Sequence, residues 1–176
     1  MHHSTQEVVS TSKTEIKVSG ISGKGTFAKV KINPGEYIFT LWGELVQSDP
    51  NVDHLCTQYG VSGDDPLQVG DAQFVICNHE SKTINHSCNP NTGLRNTSDL
   101  YAIREINPGE EITYDYSTTS GVNDVWTMSC GCGSEACRKI IGNALTIPPI
   151  IIAKYANLDV IPDFIRQQLR QAQLVL

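Results

Sequence analysis

Three cysteines in the last third of the chain are spaced as metal ligands often are. Cys130, Cys132 and Cys137 fall within eight residues. The first two are too close in sequence to pair comfortably as a disulfide, and zinc in a structural site prefers four thiolate or imidazole ligands. The segment therefore predicts a zinc site that still needs one ligand, which either Cys88 or His86 can supply.

Cys88 and His86 belong to a polar stretch that is rich in ligand-binding side chains. Residues 84–91 read Ile-Asn-His-Ser-Cys-Asn-Pro-Asn, a composition typical of a loop. The alternative interpretation, a cysteine nucleophile paired with His86, is weak because sequence neighbours lack the geometry that such a pair requires. Cys56 and Cys77 are interpreted as ordinary buried thiols.

A third polar segment follows about twenty residues later and contains Tyr114, Asp115 and Tyr116. On a strand, the two phenols would share one face and the aspartate would occupy the other. Taken alone, the pattern is typical of core tyrosines, which have a high strand propensity. Its position between the asparagine-rich loop and the cysteines favours a functional role.

Composition bounds the class of protein. A length of 176 residues predicts one domain, and 39% hydrophobic with 18% charged residues is typical of a globular fold. A formal net charge of −6 argues against direct nucleic-acid binding and suits basic partners such as Lys/Arg-rich peptides.

Export and membrane insertion are not expected. The first fifteen residues are polar and have no apolar stretch of the kind found in signal peptides. The longest apolar run, residues 147–153, contains two prolines and is too short to cross a bilayer. We therefore expect thiols or metal ligands in place of disulfides.

Periodicity predicts many short strands and few helices. Residues 23–28 match the dinucleotide fingerprint G-x-G-x-x-A, but the following residues alternate as a strand where that fingerprint requires a helix, which excludes a Rossmann fold. Matching Asn-Pro-Gly-Glu turns at 33–36 and 107–110 suggest two similar hairpins. Other predicted strands lie at 15–19, 27–32, 37–42, 44–46, 67–69, 74–76 and 100–103, with a short helix near 53–59 and an amphipathic helix from Pro162 whose apolar face carries Phe164, Ile165, Leu169 and Ala172.

Four segments in this order resemble the SET-domain protein lysine methyltransferases. The resemblance covers about residues 15–142. It is specific because all four segments occur in the same order as in the family. It implies a mainly β fold of small curved sheets with a pseudoknot, followed by a cysteine-rich post-SET tail and short C-terminal helices. The segments are the glycine motif at 23–28, the Asn-His-Ser-Cys motif at 84–91, the Glu-Ile-Thr-Tyr-Asp-Tyr motif at 111–116, and the cysteines at 130–137.

The resemblance also implies roles for individual residues. Tyr116 matches the catalytic tyrosine, and Tyr114 at its position resembles members that stop at one or two methyl groups. Cys88 would complete the zinc shell with Cys130, Cys132 and Cys137. The residues expected to hold S-adenosylmethionine, largely through backbone groups, are Lys24, Gly25, Asn85 and His86.

On this interpretation the substrate is a lysine in a histone or another basic tail. The expected organisation is a flexible arm at 1–14, a SET domain at 15–118, a linker and post-SET segment at 119–142, and a helical extension at 143–176. The alternatives are a non-catalytic SET module that binds peptide and a small zinc-bound interaction domain. The compartment stays open, nuclear in a eukaryote and cytoplasmic or host-delivered for a bacterium.

The chain departs from the family pattern in three places. No cysteine-rich pre-SET segment is present in this sequence. Where an aromatic residue often lines the lysine channel, the nearest alignment gives Asp65 or Pro66, with Tyr59 and Trp126 as possible substitutes. After Cys137 the chain lacks the aromatic that often stacks on adenine, and Ile140 or Ile141 would provide apolar contact instead.

Overall fold

The computed structural model describes residues 13–47, 52–62 and 65–172, so most of the predicted arm at 1–14 lies outside the described residues. Within these ranges the chain forms short strands and three α-helices, which confirms the mainly β prediction. The strands are β1 Thr14–Val18, β2 Lys24–Ala28, β3 Tyr37–Thr40, β4 Gly43–Gln47, β5 Pro66–Gly70, β6 Gln73–Cys77, β7 Asn85–His86, β8 Thr92–Arg95, β9 Asp99–Ala102, β10 Thr113–Tyr114, β11 Met128–Ser129 and β12 Ile140–Ile141. The helices are α1 Val52–Tyr59, α2 Pro149–Asn157 and α3 Asp163–Gln171.

The strands pair into small sheets that cannot bury a core alone and therefore pack together. β1 and β2 form an antiparallel hairpin, while β3, β9 and β8 form one three-stranded sheet and β4, β6 and β5 another. Their inward side chains share a buried cluster that includes Ile32, Leu94, Leu100 and Ile112. β11 and β12 form a separate antiparallel pair in the cysteine-rich tail.

The pairing that matters most for the site is parallel and only two residues long. It joins β7 to β10, with Asn85 opposite Thr113 and His86 opposite Tyr114. Asn91 extends the contact because its amide nitrogen donates to the Glu111 carbonyl at 2.7 Å and its amide oxygen accepts the Thr113 N–H at 2.9 Å. The two segments that the resemblance assigns to a pseudoknot thus lie side by side.

The two Asn-Pro-Gly-Glu turns have matching geometry but do not form two similar hairpins. Gly35 and Gly109 adopt φ values of 79° and 84°, as the third residue of a type II turn requires. The prediction of hairpins was wrong because the flanking segments pair across the two turns: Ile32 bridges Ile106, and β3 pairs with β9. Pro at the second turn position fixes the bend but does not select the partner strand.

The C-terminal helices form a second core that packs on the sheet containing β8. Ile165 and Leu169 of α3 are fully buried, as the amphipathic pattern predicted, whereas Ala172 is exposed because the helix ends at Gln171. Gly93 of β8 allows close contact, since a Cβ there would lie 2.5 Å from the Val160 Cβ. The extension is thus packed against the body of the fold.

No helix among the described residues combines the length and the apolar character needed to cross a membrane.

Candidate active site and metal centre

A cleft of about 420 Å³ opens between the glycine-rich loop, β7 and the cysteine-rich tail. This volume falls in the range of small-molecule sites, about 300–1,000 Å³. Of the residues predicted to hold the cofactor, Asn85 and His86 line it and Lys24 and Gly25 do not; the predicted catalytic Tyr116 and metal ligand Cys130 also line it. The lining residues are Ile21, Ser22, Asn85, His86, Tyr116, Met128, Ser129, Cys130 and Gly131.

Asn85 holds the glycine-rich loop in place through its side-chain amide. The amide nitrogen lies 3.1 Å from the Ser22 carbonyl, 3.1 Å from the Lys24 carbonyl and 3.1 Å from Ser19 Oγ. A fourth acceptor, Glu111 Oε1, lies at 2.7 Å. Two amide protons are shared among these acceptors, so this buried side chain shapes the loop whose backbone faces the cleft.

Glu111 and Ser19 complete this arrangement. Ser19 Oγ donates to the Glu111 carboxylate, at 2.8 and 2.9 Å from its two oxygens, and accepts the Ile21 N–H at 2.8 Å. Gly25 fits only because it has no side chain, since a Cβ there would lie 2.2 Å from Glu111 Oε1. Gly25 therefore permits close packing between the loop and Glu111. Lys24 is exposed, and its carbonyl oxygen accepts the hydrogen bond from Asn85.

His86 connects the cleft to the cysteines. Its Nδ1 accepts the Tyr116 N–H at 3.2 Å, so the proton resides on Nε2, which lies 3.3 Å from Cys88 Sγ. Burial, followed by the positive charge of Arg138, lowers the pKa of His86 to about 3. The imidazole is therefore neutral and donates a hydrogen bond to Cys88. Of the two candidates for the fourth zinc ligand, this geometry favours Cys88 over His86.

Tyr116 and Tyr114 lie together, although not on a continuous strand. β10 ends at Tyr114, and Tyr116 begins a short 3-10 helix of residues 116–118. The two rings are 4.8 Å apart, and the Tyr116 hydroxyl donates to the Ile84 carbonyl at 2.7 Å. Burial raises the pKa of Tyr114 well above its ordinary value, so its phenol remains protonated.

Four cysteine sulfurs converge beside this cleft. The sulfurs of Cys88, Cys130, Cys132 and Cys137 all lie within 4.8 Å of one another. Cys88 Sγ and Cys130 Sγ are 3.8 Å apart, and two thiolates about 2.3 Å from a tetrahedral zinc stand roughly 3.8 Å from each other. The donor set and its spacing therefore fit zinc.

The thiol environments differ within the cluster. Burial raises the pKa of Cys130. Burial acts in the same direction on Cys132, but hydrogen bonds from the backbone of Cys88 and Ser134 outweigh it and lower the pKa to about 7. Outside the cluster, Cys77 is buried and burial raises its pKa to about 11, which fits an ordinary core thiol.

The positions where the chain departs from the family pattern are now located. Asp65 forms an ion pair with Lys82 at 3.2 Å. Tyr59 packs against a small buried cluster of Val46, Leu55 and Phe74 and does not line the cleft. Ile141 is fully buried while Ile140 is 66% exposed. Their strand, β12, pairs with β11, whose Met128 lines the cleft and provides apolar surface there.

Sequence reasoning missed several residues that shape the site. Glu111 was noted only as part of a motif, and Ser19 only as the end of a strand. Met128 lies in a Ser/Thr/Gly-rich linker whose composition gives no sign of a binding role. Arg138 follows Cys137 directly and has no predicted role, yet it contacts both Cys88 and Asp115.

Comparisons with known proteins agree with this geometry. The sequence profile of the SET domain matches residues 23–117, more than half of the chain. Histone-lysine N-methyltransferase ASHH3 of Arabidopsis thaliana is 28% identical over 77% of this chain, which covers 40% of that protein. Histone-lysine N-methyltransferase trithorax of Drosophila virilis is 33% identical over 70% of this chain and 3% of its own length.

A third relative, the H3 lysine-36 specific histone-lysine N-methyltransferase of Candida albicans, is 26% identical over 80% of this chain and 18% of its own length. The chain therefore spans well under half of each of these relatives. Profile match, motif order and the convergence of Asn85, His86 and Tyr116 at one cleft agree. The chain belongs to the SET-domain family.

Proposed function

We propose that this chain is an S-adenosylmethionine-dependent protein lysine methyltransferase. The observation that carries the proposal is the position of the Tyr116 hydroxyl, fixed by its 2.7 Å hydrogen bond to the Ile84 carbonyl in a residue that lines the same cleft as Asn85 and His86. The family match and relatives named as histone-lysine N-methyltransferases support it.

The cofactor fits the cleft in chemistry as well as in volume. Ile21 and Ser22 of the glycine-rich loop line it together with polar Asn85 and apolar Met128. Asn85 holds this loop through its hydrogen bond to the Ser22 carbonyl, and His86 lines the cleft as a neutral imidazole. Neither side chain adds a charge that would repel a sulfonium. When bound, S-adenosylmethionine supplies an activated methyl group with a good leaving group.

The protein must then align a neutral lysine amine. The Tyr116 hydroxyl donates its proton to Ile84, so toward a substrate it acts as an acceptor that can hold an amine N–H in place. The Tyr114 ring lies beside it at a tilt of 44° and carries a protonated phenol. A water-poor site of this kind favours the uncharged lysine through desolvation.

We further propose that the product is mainly mono- or dimethyl-lysine. The Tyr114 hydroxyl is a polar group next to Tyr116, and the volume of a water held by it would be needed by a third methyl group. The substrate proposed is a histone or another basic tail, because the chain carries a net charge of −6 and relatives are named as histone-lysine N-methyltransferases.

The proposed organisation follows the two largest buried clusters among the described residues. The SET domain at 15–118 contains the cluster around Ile32 and Ile112. The segment at 119–142 would bind structural Zn²⁺ through Cys130, Cys132 and Cys137, together with Cys88 of the SET domain. The extension at 143–176 contributes most of the second cluster.

The deciding experiment is transfer of label from radioactive S-adenosylmethionine to core histones. We expect labelled histone with the wild-type chain, and a loss of about 100-fold in Tyr116→Phe with cofactor affinity almost unchanged, since a misplacement of the reacting groups by about 1 Å can cost about 100-fold. Tyr37→Phe is the control, because Tyr37 lies on β3 and its hydroxyl contacts Thr40. Cofactor binding without transfer to histones or to whole-cell lysate would instead support a non-catalytic peptide-binding module.

A further inference from the structure

Arg138 is the side chain that joins the cysteine cluster to the tyrosine segment. Its Nη2 donates to Asp115 Oδ1 at 2.5 Å, and its Nε lies 3.5 Å from Cys88 Sγ. Its backbone N–H also points to Cys88 Sγ at 3.3 Å. One residue therefore contacts a proposed metal ligand twice and a buried carboxylate once.

Asp115 sits at the meeting point of three parts of the fold. It lies between Tyr114 and Tyr116 in sequence and is 2% exposed. Besides Arg138, it accepts the Ser117 N–H at 3.1 Å, which fixes the start of the 3-10 helix that contains Tyr116. Its other oxygen accepts the Tyr155 hydroxyl of α2 at 3.3 Å.

Burial by itself raises the pKa of this carboxyl, and the Arg138 guanidinium opposes the rise. A carboxylate left in this position without its cation would be strongly destabilised. Arg138 Nη1 is buried and has no hydrogen-bond partner among the described residues. The guanidinium thus keeps one donor unsatisfied while it holds both Cys88 and Asp115, which indicates that its orientation is set by these two contacts.

Four thiolates carry more negative charge than one zinc ion neutralises. N–H donors and cations around the sulfurs reduce the excess and orient the ligands. Cys88 receives such contacts from both His86 and Arg138. His86 also accepts the Tyr116 N–H. Cys88 is therefore linked to the Tyr116 segment in two ways, through His86 and through Arg138 and Asp115.

We propose that Arg138 is a positioning residue that stabilises the metal centre and, through Asp115, fixes the position of Tyr116. Tyr155 of the C-terminal extension holds Asp115 in place through its hydroxyl. The metal part stands on the cysteine cluster alone, and the part concerning Tyr116 rests on the proposed methyltransferase function. The extension at 143–176 then contributes to the site through Tyr155 and not only through packing.

Arg95 provides a matched control for this role. Its Nη2 donates to the Leu158 carbonyl of the C-terminal extension at 3.2 Å, and its guanidinium packs over the Tyr101 ring. Both arginines are half-buried, but no contact between Arg95 and a cysteine is among those of the described residues. Arg95→Met therefore removes a half-buried guanidinium that contacts the extension, without touching the cluster.

The test measures the rate at which excess 4-(2-pyridylazo)resorcinol removes zinc from the purified full chain. We expect Arg138→Met to release zinc at least about 10-fold faster than wild type, as loss of a ligand's hydrogen-bond partner typically does. Arg138→Lys should be intermediate because an ammonium is a single point donor that cannot serve Cys88 and Asp115 together. Tyr155→Phe should show a smaller acceleration, and Arg95→Met none.

A wild-type release rate in Arg138→Met would overturn the proposal, and so would an equal acceleration in Arg95→Met, which would indicate general loosening. Should Arg138→Met not fold, the order Arg138→Lys, Tyr155→Phe, Arg95→Met decides in its place. A second readout separates the two proposals. In label transfer, Arg138→Lys should lower kcat several-fold more than it raises the KM for S-adenosylmethionine. A wild-type chain that binds zinc but transfers no methyl group would contradict the proposed function. The order of the zinc-release rates among the variants would still test the role of Arg138.

Discussion

Two sets of contacts of different chemistry, here called clamps, hold the cleft, and each includes one residue of the motif at 84–91. The glycine-loop clamp consists of Ser19, Asn85 and Glu111, and the cysteine-tail clamp of Cys88, Cys130, Cys132 and Cys137. The first is complete as the chain folds, because donors and acceptors meet at 2.7–3.1 Å. The second brings together sulfurs, which are weak hydrogen-bond partners, and on the proposed zinc assignment it would gain its strength from the metal. One wall of the cleft should therefore be intrinsic to the fold, and the other conditional on zinc.

The largest expected effect is loss of the metal-dependent wall. Cys137→Ser should abolish stoichiometric zinc and lower Tm by several degrees or more, since about 1 kcal/mol corresponds to roughly 2–4 °C in a domain of this size. Metal analysis and a thermal melt measure both quantities. Cys56→Ser is the matched control, because Cys56 lies on α1, outside the cysteine cluster. Unchanged zinc and Tm in Cys137→Ser would remove the metal assignment.

The next effect concerns the glycine-loop clamp. Asn85→Ala leaves the Ser22 and Lys24 carbonyls without this donor, which should cost about 1–3 kcal/mol in the free energy of unfolding. Calorimetric titration with S-adenosylhomocysteine should show at least about a 10-fold loss of affinity, whereas zinc content should stay at the wild-type value. Asn89→Ala, in the same loop but exposed, should change neither. A simultaneous loss of zinc in Asn85→Ala would show that the two clamps are not separate.

Glu111→Gln sharpens the comparison further. The amide keeps the size of the carboxylate and can still accept from Ser19 through one oxygen, so the loop should loosen without collapsing. Charge-assisted hydrogen bonds are about twice as strong as neutral ones, and we expect a loss of roughly 1–2 kcal/mol in a denaturant titration. Gly25→Ala should be at least as harmful, because its Cβ would meet the same carboxylate. Wild-type stability in Gly25→Ala would mean that Glu111 can move away at little cost.

The smallest effect on stability is expected at the tyrosines between the clamps. Tyr114→Phe removes one buried hydroxyl and should change the free energy of unfolding by about 1 kcal/mol or less, with zinc and cofactor affinity unchanged. If the hydroxyl limits the methyl count, the variant should shift the product toward trimethyl-lysine in a mass spectrum. Trimethyl-lysine as the main product of the wild-type chain would end that interpretation.

Much of the fold followed from local patterns. The helix near residues 53–59, the strands at 67–69 and 74–76 and the amphipathic helix after Pro162 were all confirmed, as α1, β5, β6 and α3. Each depends on residues close in sequence, where periodicity and turn chemistry are sufficient. The two Asn-Pro-Gly-Glu turns show the limit of such reasoning, because a turn motif sets a bend and not the strand that pairs beyond it.

By itself the sequence determined the residue types available for chemistry: the cysteine spacing, the Asn-His-Ser-Cys loop, the paired tyrosines and their order, which together indicated the family. Only the tertiary structure decided what each side chain touches. It turned Gly25 into a packing position against Glu111, made His86 a donor to Cys88, and brought Arg138 and Tyr155 to Asp115. These contacts join segments as far apart as Ser19 and Glu111, and no local periodicity encodes them, because burial and hydrogen bonding between distant residues are fixed only when the sheets pack together.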